Sequence, residues 1–291
     1  MIPLPRAWIL ALGFYFGIPV VQISGTLQGQ TAPTDSILAI AHTLFTEASI
    51  LANQGHQDEA ESKLQRVLDI REKALGLDHP DVALALHNLG FIYNAQGRYA
   101  EAEPLLRRAL IIREAALGPQ HLEVALTLNS LAFTYGVRSR YEEAEPLYER
   151  ALAIDEIVLG PNHLEVAHVL SNLGMLYDDL DRYIEARSVY ERVLAIRETV
   201  LGLGHPDVAD ALINLASLYH HQELYAEAIP LYRRSLDIRK VEFGPEHSDT
   251  GLALENLILA CELFFALPYI AQEQQSITAP ESMTVLCRPS P

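Results

Sequence analysis

Histidines at a fixed interval are the residues of this chain whose type and spacing could most readily support chemistry. Five of them recur every 42 residues: His79, His121, His163, His205 and His247. Imidazoles bind zinc, but all ligands of one zinc ion must lie within about 2.1 Å of it. Equivalent positions in stacked helical repeats are separated by helix axes about 8–10 Å apart. We therefore predict no metal site, and a structural role in which each histidine packs on or hydrogen-bonds to a helix end.

Other patterns that would indicate catalysis are missing from the sequence. It contains no glycine-rich phosphate loop, no HExxH and no GxSxG motif. His168 and the pair His220-His221 form a second histidine group, but they lack a clear third ligand, so we interpret them as surface histidines. Acidic residues recur where second helices of the repeats are expected to begin, and carboxylates there complement the helix dipole. The sequence thus predicts a protein that is not an enzyme and that uses no cofactor.

The cysteine content is low. Cys261 falls in the last helical pattern of the chain, and Cys287 lies in a tail without periodicity. Two cysteines are too few for a disulfide framework. We predict one core cysteine and one free tail thiol; a bond between them would require the tail to fold back, and their pairing stays open.

The charge balance is strongly acidic. The 291 residues include 21 Lys and Arg against 38 Asp and Glu, which gives a net charge of −17. This balance disfavours nucleic acid and anionic membrane surfaces as main partners. A neutral, hydrophobic or basic partner is easier to accommodate.

A glycine that recurs every 42 residues, like the histidine, predicts the secondary structure of the chain. Its positions are Gly76, Gly118, Gly160, Gly202 and Gly244. A fixed period of this size is typical of a solenoid of helix pairs. In the copy at 81–117, apolar residues recur at three- and four-residue steps in two segments. Gly97 separates the segments and is expected to end the first helix as a left-handed cap.

The copies lose fidelity at both ends, as terminal caps of an array do. We therefore divide the chain into an N-terminal segment 1–32, a repeat array 33–275 and a loose tail 276–291. Within the array we predict four full repeats, 76–117, 118–159, 160–201 and 202–243. Degraded caps at 34–75 and 244–275 flank these repeats.

The N-terminal segment does not follow the repeat. Arg6 precedes the apolar run 7–23, which is the pattern of a secretory signal peptide. The run is short for a spanning helix of about 20 residues and is interrupted by two glycines and a proline. We favour export to the periplasm or the extracellular space. An uncleaved membrane anchor is the second interpretation, and a cytoplasmic protein that begins near Pro33 is the third.

Several positions agree in four consecutive copies, represented by Leu89-Gly90, Tyr93, Tyr99 and Ala102. They resemble the tetratricopeptide repeat, and the 42-residue length with the LG-x-x-H-P-D-V-A loop resembles the kinesin light chain type. The resemblance covers about 34–275. It implies an all-α fold, a right-handed superhelical solenoid of about six stacked antiparallel helix pairs, and a stand-alone array.

By the same resemblance, the first helix of each repeat lines a concave peptide-binding groove. The implied lining residues are Leu84, His87, Asn88, Phe91, Leu126, Asn129, Phe133, His168, Asn172, Met175, Asp210, Asn214 and Asn256. The asparagines could pair with a peptide backbone or could bond across neighbouring helices, and both interpretations stay open. The groove lacks the lysines and arginines needed to clamp a C-terminal carboxylate.

The function predicted from these patterns is non-catalytic binding of a protein or peptide in the groove. The expected ligand has an apolar anchor at one end and basic or neutral groups at the other. One alternative is a structural or oligomerising scaffold that packs against copies of itself. Another is a regulatory subunit of a separately encoded enzyme. Contact with a membrane is expected only through an uncleaved N-terminal segment.

Overall fold

The computed structural model describes residues 33–267 and 284–287. These residues form α-helices and contain no β-strand. In chain order the helices are α1 (Pro33–Asn53), α2 (Gln57–Leu75), α3 (Pro80–Ala95), α4 (Tyr99–Leu117), α5 (Leu122–Val137), α6 (Tyr141–Leu159), α7 (Leu164–Asp179), α8 (Tyr183–Leu201), α9 (Pro206–His221), α10 (Tyr225–Phe243) and α11 (Ser248–Ala266).

The described residues fall into two compact units, unit 1 (33–154) and unit 2 (155–267 with 284–287). In unit 1, α1 packs on α2 and α3 packs on α4, and the pairs join through contacts of α2 with α3 and of α4 with α5. In unit 2 the same relation links α7 with α8, α9 with α10, and α10 with α11. The predicted all-α architecture of consecutive antiparallel helix pairs is therefore confirmed.

Small and large apolar residues pack together in the core of the α3–α4 pair. In unit 1 the side chains of Val82, Leu86, Ala109 and Ile112 form one buried cluster between α3 and α4. Each buried leucine or isoleucine of this kind contributes roughly 1.5–3 kcal/mol relative to an exposed one. In this pair the first helix, α3, has more buried positions than the second, α4.

The recurring glycine ends the second helix of each pair in a conformation that other residues avoid. Gly76 has φ 90° and ψ 163°, and the other four glycines of the column have φ between 85° and 89°. Backbone in this region is essentially restricted to glycine. The 42-residue glycine is thus a geometric requirement of the loop between repeats.

The histidine that follows three residues later is the N-cap of the next helix. In all five copies its Nδ1 accepts a hydrogen bond from the backbone N–H two residues on, at 3.1–3.2 Å. An N-cap side chain satisfies one of the unpaired N–H groups of the first turn. The predicted structural role of the column is confirmed, and the helix end to which each histidine bonds is that of the helix it precedes.

The C-terminal segment folds back onto the last helix. Cys261 and Cys287 form a disulfide bond, Leu286 packs on the buried cluster that includes Leu257, and Arg233 Nε donates to the carbonyl oxygen of Leu286 at 2.8 Å. The prediction of one core cysteine and one free thiol is therefore wrong, and residues 284–287 of the tail are not loose. Cys261 holds the repeat position of a tyrosine, and its smaller side chain leaves room for the returning chain.

One helix among the described residues, at Thr34–Asn53, is long and apolar enough to cross a membrane by length and composition. A helix packed in a protein core can pass the same test, and in α1 the side chains of Ala41, Phe45 and Ala48 are buried. The predicted signal peptide or anchor at 1–32 lies outside the described residues.

Candidate functional site

The predicted lining residues of unit 1 lie on α3 and α5, the first helices of two successive pairs. Leu126 on α5 is 40% exposed. Leu84 and Phe91 on α3 and Asn129 on α5 are half-buried. The first-helix face of unit 1 therefore presents apolar side chains that are partly open to solvent.

Three other predicted residues of unit 1 are largely covered by the protein itself. His87, Asn88 and Phe133 are 6%, 7% and 5% exposed. The Asn88 side-chain amide donates to the carbonyl oxygen of Leu84 at 2.8 Å, so one of its two N–H groups serves its own helix. The Phe133 ring meets the Tyr99 ring edge-on at 6.5 Å between centroids. A ligand would therefore reach only the edges of these side chains.

His87 is an uncharged residue in this environment. Its burial, and next to that the nearby Arg113 guanidinium, hold the pKa of His87 well below its usual value. Its Nδ1 is buried without a hydrogen-bond partner in the described part of the chain. A neutral imidazole suits the apolar face of unit 1.

The predicted lining residues of unit 2 lie on α7, α9 and α11. Asn172 and Met175 are 8% and 3% exposed, whereas four others are half-buried. These four are His168, Asp210, Asn214 and Asn256. This face is more polar than that of unit 1, and a carboxylate lies within it.

Two polar groups of unit 2, the carboxyl group of Asp210 and the imidazole of His168, have pKa values shifted by burial. The Asp210 carboxylate accepts a hydrogen bond from Arg239 Nη2 at 2.6 Å, although burial raises the pKa of Asp210. Burial and then the Arg197 charge lower the pKa of His168 to about 4. His168 is therefore neutral near pH 7.

The two adjacent histidines at the end of α9 behave differently from each other. His221 Nδ1 lies 2.8 Å from Asp178 Oδ2 on α7, and this hydrogen bond raises the pKa of His221. The His220 ring packs edge-on against the rings of Tyr225 and Tyr232. The interpretation as surface histidines holds for His221, which is half exposed, and is wrong for His220, which is packed among aromatic rings.

The family is decided by the match of the sequence to a family model. The model of the tetratricopeptide repeat matches residues 39–115, 81–156, 123–199 and 207–263, more than half of the chain. The chain belongs to the tetratricopeptide repeat family. A stand-alone array of such repeats fits the described residues. No curated protein sequence matches it.

Solved structures share the architecture of this tetratricopeptide repeat array. A Podosopora anserina protein with nearly identical TPR-like repeats, assigned to the kinesin light chains, is 25% identical, with a TM-score of 0.60 over 71% of this chain and 97% of that chain. BtubC (BKLC) from P. vanneervenii is 20% identical, with a TM-score of 0.57 over 90% and 96%. The apo form of RapI is 17% identical, with a TM-score of 0.63 over 81% and 79%. The array is thus similar in fold to kinesin light chain-type repeats.

A second recurring residue, an arginine, did not emerge from the sequence patterns described above. The array repeats a buried arginine, at most 8% exposed, near the end of the second helix. Its Nη1 donates to the backbone carbonyl oxygen ten residues later at 2.8–3.0 Å. The members of this column are Arg71, Arg113, Arg197 and Arg239. The 42-residue register could have revealed it, and with it the single exception.

That exception is Asp155, which holds the arginine position in the third copy and is 5% exposed. Burial, and next to that the Glu165 carboxylate, raise the pKa of Asp155 to about 7. A buried acid beside a second acid favours the protonated form. At this one position of the repeat, an acidic side chain replaces the arginine of the other copies.

Replacing Asp155 with asparagine is expected to change the pH dependence of stability. An aspartate is half ionised near pH 3.9 in the unfolded chain and near pH 7 in the folded protein. Folding therefore favours the protonated carboxyl, and this contribution is lost as the pH rises from about 4 to about 7. Asp155→Asn should lie within about 1 kcal/mol of the wild type near pH 4.5 and be more stable than it by up to roughly 4 kcal/mol at pH 8.

Denaturant unfolding of both proteins at the two pH values measures this difference. Because wild type and variant are compared at the same pH, the titration of groups that do not interact with Asp155 cancels. An equal stability difference at both pH values would contradict the prediction.

Proposed function

We propose that this protein is a non-catalytic interaction module that binds a peptide or a segment of a partner protein on the faces presented by the first helices of its repeats. Membership in the tetratricopeptide repeat family supports the general statement, since such solenoids offer extended binding surfaces. The proposed contact residues are those predicted positions that remain partly open: Leu84, Phe91, Leu126, Asn129, His168, Asp210, Asn214 and Asn256.

The observation that carries the proposal is the exposure of Leu126. Leu126 on α5 is 40% exposed, and Leu84 and Phe91 on the preceding first helix, α3, are half-buried. Together they would offer apolar side chains at the position where the repeats are expected to bind. Burying such side chains against a ligand would contribute roughly 25 cal/mol per Å² of apolar area. Unit 1 would thus hold the apolar anchor of a ligand.

The charge of unit 2 supports a ligand with neutral or basic groups. Residues 155–267 include 19 acidic and 8 basic side chains, whereas 33–154 include 17 and 11. Complementary charge chiefly raises the association rate and excludes partners of like charge. An acidic peptide is therefore disfavoured on unit 2.

The disulfide bond supports the proposed location outside the cytosol. Disulfides persist in oxidising compartments and are rare where thiols are kept reduced. The bond between Cys261 and Cys287 therefore agrees with export, to the periplasm or beyond the cell, or with display from a membrane anchor.

A peptide chosen from a random display library on the full chain tests the proposed surface. Leu126→Glu should weaken binding of that peptide at least tenfold. Ile111→Glu is the matched control, because Ile111 is 65% exposed on the second helix of a pair in the same unit, and it should leave binding within twofold. Equal affinities of the wild type and Leu126→Glu would contradict the proposal. A stable dimer of the full chain that Leu126→Glu dissociates would favour the scaffold alternative.

A further inference from the structure

Unit 2 exposes large apolar side chains where its second helices end. Each of α6, α8 and α10 contributes at least one of them in its last turn, and the loop after α8 contributes another. Their exposed fractions lie between 50% and 88%. We call this set the apolar ridge, and its members are Ile157, Val158, Val200, Leu203 and Val241.

Salt bridges show that the helix ends that carry the ridge are neighbours in space. Arg192 on α8 reaches Glu156 on α6 at 2.6 Å, and Arg234 on α10 reaches Glu198 on α8 at 2.5 Å. Each of these glutamates lies one or two residues before a member of the ridge. The ridge therefore crosses three adjacent second helices as one surface, and the charges within it are paired.

The fold of the repeat does not require large apolar side chains at these positions. In the copy before Ile157 and Val158, the same register positions carry Ala115 and Ala116, which are exposed. One copy earlier, the first of the two positions carries Lys73. Since the helix pairs form with small or charged residues here, the ridge is an added feature of unit 2. Exposed apolar patches of this kind mark interaction sites.

Area and charge both favour a second copy of this chain as the partner. By their exposed fractions, the five residues leave roughly 600 Å² open to solvent, close to the 800 Å² or so that each partner buries in a standard interface. Because the chain has a net charge of −17, two copies repel each other except where surfaces without net charge meet. The ridge is such a surface, since arginines neutralise Glu156 and Glu198, and exposed Asp237 and Glu242 lie only at its border on α10.

The regular spacing of the ridge also suits pairing with an identical ridge. Val158 and Val200 hold equivalent positions one repeat apart, so apolar side chains recur at the separation of neighbouring second helices. A two-fold symmetric dimer brings the same patch of both subunits together, and that patch must complement itself. Rows of equal spacing meet this condition, because the side chains of one row fit between those of the other.

We propose that the apolar ridge of unit 2 is the interface of a two-fold symmetric dimer of this chain. The inference goes beyond the proposed function and does not depend on it, because the ridge lies at the ends of second helices, whereas the proposed peptide contacts lie on first helices. The dimer would carry two copies of the proposed peptide-binding surface. A ligand with two binding motifs would then bind more tightly than a ligand with one.

Sedimentation velocity of the full chain, over a range of concentrations, tests the interface. Val200→Glu places an unpaired charge in the ridge, and the array tolerates glutamate at this register position, where the next copy carries Glu242. Ile184→Glu is the matched control, because Ile184 is 85% exposed in the first turn of the same helix. It lies roughly 24 Å along α8 from Val200. Thermal unfolding should confirm that both variants fold.

We expect the wild type to dimerise with a dissociation constant below about 10 μM. Dimerisation should be at least tenfold weaker for Val200→Glu and should change by less than a factor of two for Ile184→Glu. A wild type that is still monomeric at about 100 μM would overturn the proposal. So would equal dissociation constants of the wild type and Val200→Glu. Binding of a monomeric wild type to phosphatidylcholine vesicles, lost in Val200→Glu, would overturn it as well and would assign the ridge to a lipid surface.

Leu126→Glu separates this inference from the proposed function. It should weaken binding of the selected peptide and leave the dissociation constant of the dimer unchanged, whereas Val200→Glu should do the reverse. If Leu126→Glu dissociates the dimer and Val200→Glu does not, the ridge is the wrong interface. If peptide binding is insensitive to Leu126→Glu while Val200→Glu dissociates the dimer, the ridge stands and the proposed peptide-binding surface is wrong.

Discussion

Removing the disulfide bond is expected to destabilise the C-terminal end of the protein by about 3 kcal/mol, the stabilisation typical of a cross-link that closes a loop of this length. The bond joins cysteines 26 residues apart and restricts the unfolded chain. Replacing Cys261 and Cys287 together with serine removes this restriction. It also releases Leu286 from the cluster on which it packs.

Denaturant unfolding of the wild type and the double variant measures the loss, and the reductant is the internal control. Dithiothreitol should lower the unfolding midpoint of the wild type to that of the double variant and should leave the double variant unchanged. A thiol assay should find no free thiol in the oxidised wild type and two after reduction. Oxidised and reduced wild type with the same unfolding midpoint would show that the tail adds nothing to stability.

The helix pairs could be predicted from the sequence, whereas the disulfide bond could not. Periodicity predicted the helix pairs, because one glycine and one histidine per 42 residues fix the loop and the start of the next helix. The tail has no such period, and the pairing of Cys287 depends on the path of a segment without helical pattern. A sequence pattern reports local conformation, whereas a disulfide reports which distant residues meet.

The candidate surface was predictable only in part, for a related reason. The resemblance to the family placed Leu126 and Phe133 on the same helix face, seven residues apart. The structure leaves Leu126 40% exposed and Phe133 5% exposed, because the ring of Phe133 packs against Tyr99. A helix face is a property of the sequence, but exposure on that face depends on the neighbouring helix.

Charge inversion within a column is a signal that the sequence does contain. Asp155 lies in the same register as four arginines, and comparison of the copies alone would find it. What the sequence lacks is the reason for its importance, namely that the column is buried and that its guanidinium groups bond to the next helix. Comparison of the repeats therefore identifies Asp155 as the exception, and the structure shows that it replaces a buried arginine that bonds to the next helix in other copies.

Overpacking between α7 and α8 is the second change with a large expected effect. A Cβ atom on Gly174 would stand 2.5 Å from Tyr190 Cε1. Tyr190 is 2% exposed, so its ring lies in the packed interior, where only a small displacement is tolerated. Gly174→Val is therefore expected to destabilise the protein by about 3 kcal/mol, at the upper end of the usual cost of overpacking.

Other copies of the repeat show how much of this cost is avoidable. In the next copy of the repeat, Ala216 takes the position of Gly174 and Tyr232 takes that of Tyr190. Both residues are buried. A small displacement of the ring thus accommodates one methyl group, and the better helix propensity of alanine returns up to about 1 kcal/mol. Gly174→Ala should change stability by less than about 1 kcal/mol, far less than valine does.

Gly251→Val separates the effect of packing from that of the helix backbone. Gly251 lies in α11, and a Cβ atom there meets nothing within 4 Å. Valine is a better helix former than glycine, so this variant should be neutral or slightly stabilised in thermal unfolding. If both valine variants lost the same stability, the cost would come from the helix itself. A loss confined to Gly174→Val would show that contact with Tyr190 is what requires glycine at that position.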